Sequence, residues 1–530
     1  MKKKIILLIF ILNFILLACA NQGESNLTTN NQTSIEENTT NIQTSLEEET
    51  QSIQTSLEET TYEVSYYVFP ESFSSSHHNY LDTDDKIANI HPGFYHSLAL
   101  SHQGRVFTWG NNDQGQLGNS TLDNQIIPTD ITEYFQLESN ETIIQLSAGG
   151  VHSMALSSNN RLFTWGNNDH SQLGDGTYGP ASRETIPKDI TGEFNLQNNE
   201  TIVSIEAGTF HSSALTSENR LFLWGNNGKG QIGNNSTANQ GLPLDITSYL
   251  NLSQDENIIQ VSLGNYNTAI ITSHHRLLIW GENIYGQLGN GNFNDSWTPL
   301  DITSFFSLEA NEMITSISLG IVHSGALTNQ GNLFMWGFNG EGLLGNQSTE
   351  NSNLPIKINQ YFSLDDNESI VNINLGGNHS SFITSNQQIY TWGQNPNGEL
   401  GDLTFSSQNT PRNITDLFSI DEEDSIENIF LGIQTSFVIS KNGFIYGFGS
   451  NNFGELGIQQ INSSQNPSQV HLSPIDLLQK ISYLENDTIE LIIDEKINLS
   501  PWYYDKAFTQ QVNDFDLITK DISLYAYRID

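Results

Sequence analysis

The sequence predicts an all-β chain built around a seven-bladed β-propeller, and three observations carry that expectation. The ten-residue segment WGNNDQGQLG from Trp109 returns six more times, from Trp165, Trp224, Trp280, Trp336, Trp392 and Phe448. The intervals are 56, 59, 56, 56, 56 and 56 residues, and so regular a period marks a repeat architecture. Each period holds four short β-like runs parted by glycine, asparagine or proline turns, which is the make-up of a propeller blade.

The chain opens with Lys2, Lys3 and Lys4 and an apolar run from Ile5 to Leu17 broken only by Asn13. That run is short for a membrane span and has the charged start and apolar middle of a secretory signal, assigned to residues 1–18. Its end, Leu16, Leu17, Ala18 and Cys19, resembles the lipobox of bacterial lipoproteins. The resemblance implies acylation of Cys19 and a lipid anchor holding the mature protein on the extracellular face of the cell membrane. Cys19 is the one cysteine of 530 residues, which excludes intramolecular disulfides and cysteine metal clusters.

Residues 19–61 are polar and carry QTSIEE at Gln32 and QTSLEE at Gln43 and Gln54. One apolar residue per eleven buries too little surface to fold, so the segment reads as a disordered, self-repelling spacer. Residues 62–85 form an N-terminal extension with a strand expected from Tyr62 to Phe69.

The propeller is expected over residues 86–472. A glycine precedes each Trp or Phe by 16 residues, at Gly93, Gly149, Gly208, Gly264, Gly320, Gly376 and Gly432. A proline-led strand follows each turn, at Pro128, Pro187, Pro243, Pro299, Pro355, Pro411 and Pro467. The first unit, Lys86 to Gly110, is read as lacking its proline-led strand. The last such strand, Pro467 to Leu472, is therefore expected to cross into the first blade and staple the ring.

The G-x-x-H-[ST]-x-x-[LI] segment, the W-G-x-N turn and the G-Q-L-G ending, in that order, resemble the regulator of chromosome condensation repeat family. The resemblance implies a seven-bladed propeller that binds other proteins. Light-sensing members place tryptophans between the glycine and the histidine; this chain has none there. Sixty acidic against 19 basic residues give a net charge of −41, which repels phosphate backbones, so no nucleic-acid partner is expected.

Three recurring features invite a chemical reading. His96, His152, His211, His323 and His379 share one place in the repeat, with Asn267 and Thr435 in the other two units. Equivalent residues of a ring sit on different blades, so each is expected to bond a backbone turn rather than join a metal site. The Asn, Asp and Gly turns such as Asn111 to Gly115 lack the twelfth-position glutamate of a calcium loop. The acidic stretches after the proline-led strands, including Asp365, Asp366 and the run from Asp421 to Asp424, read as a solvated rim. No cofactor and no metal are expected.

Beyond the repeat, Ile489 to Ile493, SPWYYDKAF at Ser500 and DISLYAYRI at Asp521 resemble the Listeria–Bacteroides repeat of bacterial surface proteins. Ser500 and Pro501 stand where that repeat has glycine, and Tyr527 and Arg528 replace its usual ending. The resemblance implies a small β-grasp-like domain over residues 473–530.

The chain is thus expected to be a monomeric, non-catalytic scaffold that binds another protein at the cell surface. A polysaccharide-binding or polysaccharide-cleaving propeller and a purely structural spacer stay open as alternatives. The expected docking positions are the freely varying pairs between glycine and histidine: Phe94 and Tyr95, Gly150 and Val151, Thr209 and Phe210, Asn265 and Tyr266, Ile321 and Val322, Gly377 and Asn378, Ile433 and Gln434. Grouped aromatics on a rigid scaffold make binding hot spots. The competing role for these pairs is to fill gaps of unequal size between blades.

Overall fold

Four antiparallel strands meander through each repeat and stack as seven sheets around a central channel, as the period anticipates. The computed structural model describes residues 85–418, 420, 424–458 and 464–470. Cys19 and its signal peptide, the polar spacer, the strand expected at 62–69 and the domain expected at 473–530 lie outside the described residues. In blade 1 the strands are Ile87–Pro92, His96–Ser101, Val106–Gly110 and Gln125–Asp130, hydrogen-bonded in chain order. Blades 2 to 7 repeat this over residues 143–189, 202–245, 258–301, 314–357, 370–413 and 426–470.

Burial follows from position in the blade. The second and third strands are pressed between neighbouring blades on both faces, so all their residues are buried in blade 1, as in HSLALS and VFTWG. The core therefore lies between blades. Leu98, Leu100 and Val106 of blade 1 pack with Ile143, Leu146, Ala155, Phe163 and Trp165 of blade 2. Six tryptophans, from Trp109 to Trp392, are fully buried in such junctions, and each indole N–H also finds a backbone carbonyl, as buried indoles usually do.

The first strand lines the channel and leaves one hydrogen-bonding edge unpaired within its sheet, a liability for any edge strand. Side chains of the preceding blade cover it. Gln145 and Ser147 accept the amides of Ile205 and Ala207 at 3.2 and 2.9 Å. Gln260 and Ser262 accept those of Ile317 and Leu319 at 3.0 and 3.2 Å.

The ring does not close as expected. The proline-led strand Gln125–Asp130 returns to its own blade, with Phe107 opposite Asp130 and Gly110 opposite Gln125. The last strand, Ser464–Val470, likewise pairs within blade 7, with Ile445 opposite Val470. The loop from Asn111 to Asn124 gives the chain enough length to double back, so no strand is exchanged between the ends. Closure instead repeats the ordinary junction: Trp109 Nε1 and Ser97 Oγ both donate to the Glu455 carbonyl, at 2.8 and 3.0 Å. Trp165 and Ser153 treat the Gln116 carbonyl in the same way, at 2.9 Å each.

Antiparallel neighbours put two kinds of connection on opposite faces. Links between first and second and between third and fourth strands share one face, here the mouth face. Links between second and third strands, and from each blade to the next, share the other.

Candidate functional site

The mouth face is built from seven hairpins of a glycine, a variable pair and a strand-opening residue that is histidine in five blades, Asn267 in blade 4 and Thr435 in blade 7. In each, the glycine amide donates to the carbonyl of the residue three further on, as from Gly93 to His96 at 2.8 Å. Glycine is required there because the blades converge. A Cβ at any of the seven would stand 3.0 Å or less from the glycine carbonyl of an adjoining blade. The hairpin tips also bond sideways, from Phe94 N to Gly150 O at 3.3 Å and Gly150 N to Thr209 O at 3.1 Å. The result is a cavity of about 100 Å³ at the channel mouth, lined by three residues from every blade.

Behind the hairpins lies a histidine relay. His96, His152, His211, His323 and His379 place Nε2 2.8 to 3.0 Å from a serine or threonine hydroxyl of the following blade. That hydroxyl donates to a backbone carbonyl, Ser153 Oγ to Gln116 O at 2.9 Å for example. The hydroxyl proton is therefore committed, and Nε2 must donate. The sequence reading expected a bond from histidine to a backbone turn. The structure routes that contact through a hydroxyl some 57 residues away, because the junction brings strand two of adjacent blades together. Asn267 alone keeps the direct form, donating to the Glu282 carbonyl.

This geometry is unsuited to nucleophilic catalysis. An activated serine gives its proton to a histidine base, whereas each serine here receives a bond from histidine. Burial also drives the imidazole pKa values of His96, His152, His211, His323 and His379 from 6.5 to about 3. Among the described residues no three His, Asp or Glu side chains form a metal-ligand group.

The W-G-x-N loops complete the face. Each repeated asparagine, such as Asn112, is buried; its Oδ1 accepts the amide five residues on and its Nδ2 donates across the loop to Asn119 and Thr121. The loop tips lean on the pair of the next blade. Phe453 lies 5.1 Å from Tyr95 and His170 lies 5.3 Å from Phe210, ring centre to ring centre, while Tyr285 meets Phe338 of the next blade's W-G-x-N loop at 5.0 Å. These tips vary between copies as freely as the pairs, a signal that sequence reasoning missed.

The expected docking residues do meet on one face, in two rows. Phe94, Asn265, Ile321 and Ile433 line the mouth together with Gly150, Thr209 and Gly377. Tyr95, Val151, Phe210, Tyr266, Val322, Asn378 and Gln434 form the outer row, where each carbonyl accepts the amide that follows a W-G or F-G dipeptide. None of the large side chains stands fully exposed; all are half-buried. The reason is mutual packing. Gly150 carries no side chain, so Phe94 reaches across blade 2 to Phe210 at 6.3 Å, and Phe210 stacks on Tyr266 at 6.0 Å. Phe453, Tyr95, Phe94, Phe210 and Tyr266 thus make a continuous aromatic arc.

The opposite face carries charge. Arg161 bridges Glu141 and Asp189, Arg220 bridges Glu200 and Asp245, and Arg276 bridges Glu256 and Asp301, at 2.8 to 3.1 Å. Burial works against ionising Glu141, Glu200 and Glu256. Hydroxyl, amide and arginine bonds nevertheless hold all three below the ordinary glutamate pKa. The acidic stretch there is only partly a solvated rim: Phe135, Phe194 and Phe306 pack inward, while Tyr249 and Phe305 stay exposed.

Comparison with known proteins agrees with this architecture. The regulator of chromosome condensation (RCC1) repeat model matches residues 103–156, 159–215 and 218–271, and the RCC1-like domain model matches 247–494. The repeat so defined straddles two blades, from the third strand of one to the second strand of the next. The mitochondrial RCC1 domain-containing protein RUG3 of Arabidopsis thaliana is 30% identical over 348 residues, covering 65% of this chain and 74% of that protein. The ultraviolet-B receptor UVR8 of Arabidopsis thaliana is 27% identical over 63% of this chain and 71% of its own length. Yeast RCC1 (Prp20), solved bound to Kap60, has a TM-score of 0.59 at 19% identity, over 76% of this chain and 90% of that one.

Proposed function

We propose that this chain, which belongs to the regulator of chromosome condensation repeat family, is a non-catalytic scaffold that docks a protein partner on its mouth face. The observation that carries the reading is the aromatic arc from Phe453 to Tyr266. It is assembled entirely from positions that change between blades, on a framework whose glycine and asparagine are kept in all seven blades, its tryptophan in six and its histidine in five. Rigid, grouped aromatics supply contact area at little entropic cost. The solved yeast relative is itself caught in a complex with another protein, which supports the same class of role. A hydrolytic role on the opposite face draws less support: its buried glutamates are engaged and held below the ordinary glutamate pKa, whereas a general acid needs a carboxyl that keeps its proton near neutrality.

The proposal extends to location. Acylation at Cys19 would hold the propeller outside the cell membrane, on the spacer of residues 19–61, as a monomer facing extracellular partners. Photo-crosslinkable residues at positions 266 and 416, one on each face, test the docking side in cells that make the protein. A saturable protein adduct from position 266 alone is expected; an adduct from 416 alone, or none from 266, would refute it. Cys19→Ser should release the protein from membranes, and retention would refute the anchor.

A further inference from the structure

One carboxylate stands without a partner in the wall of the central channel. Glu206 is the fifth residue of the innermost strand of blade 3, Ile202–Ala207, and is half-buried. Ser147, Ser262 and Ser318 hold the same position in other blades, and their hydroxyls accept the amides of Ala207, Leu319 and Leu375 at 2.9 to 3.2 Å. Among the described residues no side chain or amide bonds the Glu206 carboxylate. Burial raises its pKa to about 7. No lysine or arginine occupies this position in any blade; the sequence places His91, Asn374 and Phe430 in the remaining three. Burial keeps His91 neutral, with its pKa lowered to about 4.

The residues that follow Glu206, from Ala207 to Thr209, line the mouth cavity. So does Asn265, whose buried Oδ1 accepts no hydrogen bond among the described residues. A narrow hole lined by Phe94 and Asn265, with an unneutralised carboxylate one residue beyond its lining in the channel wall, suits one kind of guest. A buried carboxylate is costly unless a cation compensates it.

We propose that the channel mouth receives a single lysine side chain of the protein partner, its ammonium directed at Glu206. This rests on the mouth-face docking proposed above. A cavity of about 100 Å³ has room for several waters or one slender side chain. An ammonium is compact and donates in three directions, which fits a round hole better than the flat fork of a guanidinium. The aliphatic stem would lie along Phe94, as such stems do on apolar surface.

The test uses the full chain and three synthetic pentapeptides, Gly-Gly-Lys-Gly-Gly and its norleucine and arginine counterparts, titrated by calorimetry at pH 8. The lysine peptide is expected to bind in the millimolar range, and at least roughly tenfold more weakly to Glu206→Gln, a variant of unchanged shape. The norleucine peptide should not bind. No lysine-peptide binding, equal affinity for norleucine, preference for arginine, or indifference to Glu206→Gln would each overturn the proposal. Glu206-dependent binding of calcium alone would also overturn it, in favour of a metal site. The crosslinking assay separates the two levels. If Phe210→Ala abolishes the adduct from position 266 and Glu206→Gln does not, the lysine proposal fails and mouth-face docking stands. If neither variant affects the adduct, both fail.

Discussion

The two faces of the propeller vary in different ways, and the contrast separates structural from functional change. On the opposite face, Arg105, Arg161, Arg220 and Arg276 of blades 1 to 4 give way to Asn332, Gln388 and Phe444 in blades 5 to 7. A polar contact survives in blades 5 and 6, and apolar packing takes its place in blade 7. Asn332 still bonds Glu312 at 2.6 Å, Gln388 bonds Asn413 at 2.9 Å, and Phe444 packs on the blade 7 core. On the mouth face, the pairs range from Gly150 and Gly377 to Phe94 and Tyr95 with no compensating change in the framework. Variation that keeps a contact maintains the fold, and variation that abandons it is free to serve a partner.

The comparison breaks first if the mouth-face framework proves dispensable. A methyl at Gly149 would stand 2.5 Å from the Gly208 carbonyl and closer still to the His152 ring. Gly149→Ala and Trp165→Ala should each cost about 3 to 5 kcal/mol, the range of large core truncations, measured by denaturant unfolding. The relay histidines give a second, pH-dependent signature. Their folded pKa values, lowered to about 3, lie below the ordinary 6.5, so the unfolded chain binds more protons across that interval. Stability should be full above pH 6.5 and fall by several kcal/mol as pH drops toward 3. His152→Gln should flatten the slope of thermal midpoint against pH.

A smaller effect sharpens the picture within the mouth face. Gln116, Gln172, Gln231 and Gln287 share a position with Glu399, whose pKa burial raises to about 6. A group raised in the folded state supports stability below its unfolded pKa and loses that support as pH rises through 6. Glu399→Gln should therefore stabilise by about 1 to 2 kcal/mol at pH 8 and by little at pH 4. On the opposite face, Arg276→Asn imitates blade 5 and should cost about 1 kcal/mol or less, with the difference shrinking in high salt. A cost as large as that of Trp165→Ala would erase the distinction between the faces.

Blade number and strand order were legible because each strand boundary is marked by a residue that geometry demands. The inner glycines are forced by the neighbouring carbonyl, and the Trp-Gly dipeptide by a buried indole followed by a positive backbone φ, +100° at Gly110. Ring closure was misread because the spacing from Trp109 to Pro128 says that a strand follows, but not which sheet it joins. The His96 to Ser153 contact was hidden for a related reason: it joins residues of two repeats, while a repeat read alone displays only its internal turns. The aromatic arc was half visible. Its pairs lie beside landmarks of fixed spacing, whereas Phe453 and His170 belong to loops whose lean toward the next blade depends on tertiary packing. Burial of the arc was likewise unreadable, since it follows from Gly150 leaving room for Phe94.

The central claim is that the arc serves a partner rather than the fold, and a paired measurement on Phe210→Ala with Tyr266→Ala tests it most directly. The thermal midpoint and the crosslinking yield at position 95 would be read on the same preparation. Half-buried rings that touch mainly each other should cost about 1 kcal/mol in stability, while partner capture falls at least roughly tenfold. If capture is unchanged, or if stability falls by the 3 to 5 kcal/mol of a core truncation, the arc belongs to the fold and the docking face lies elsewhere.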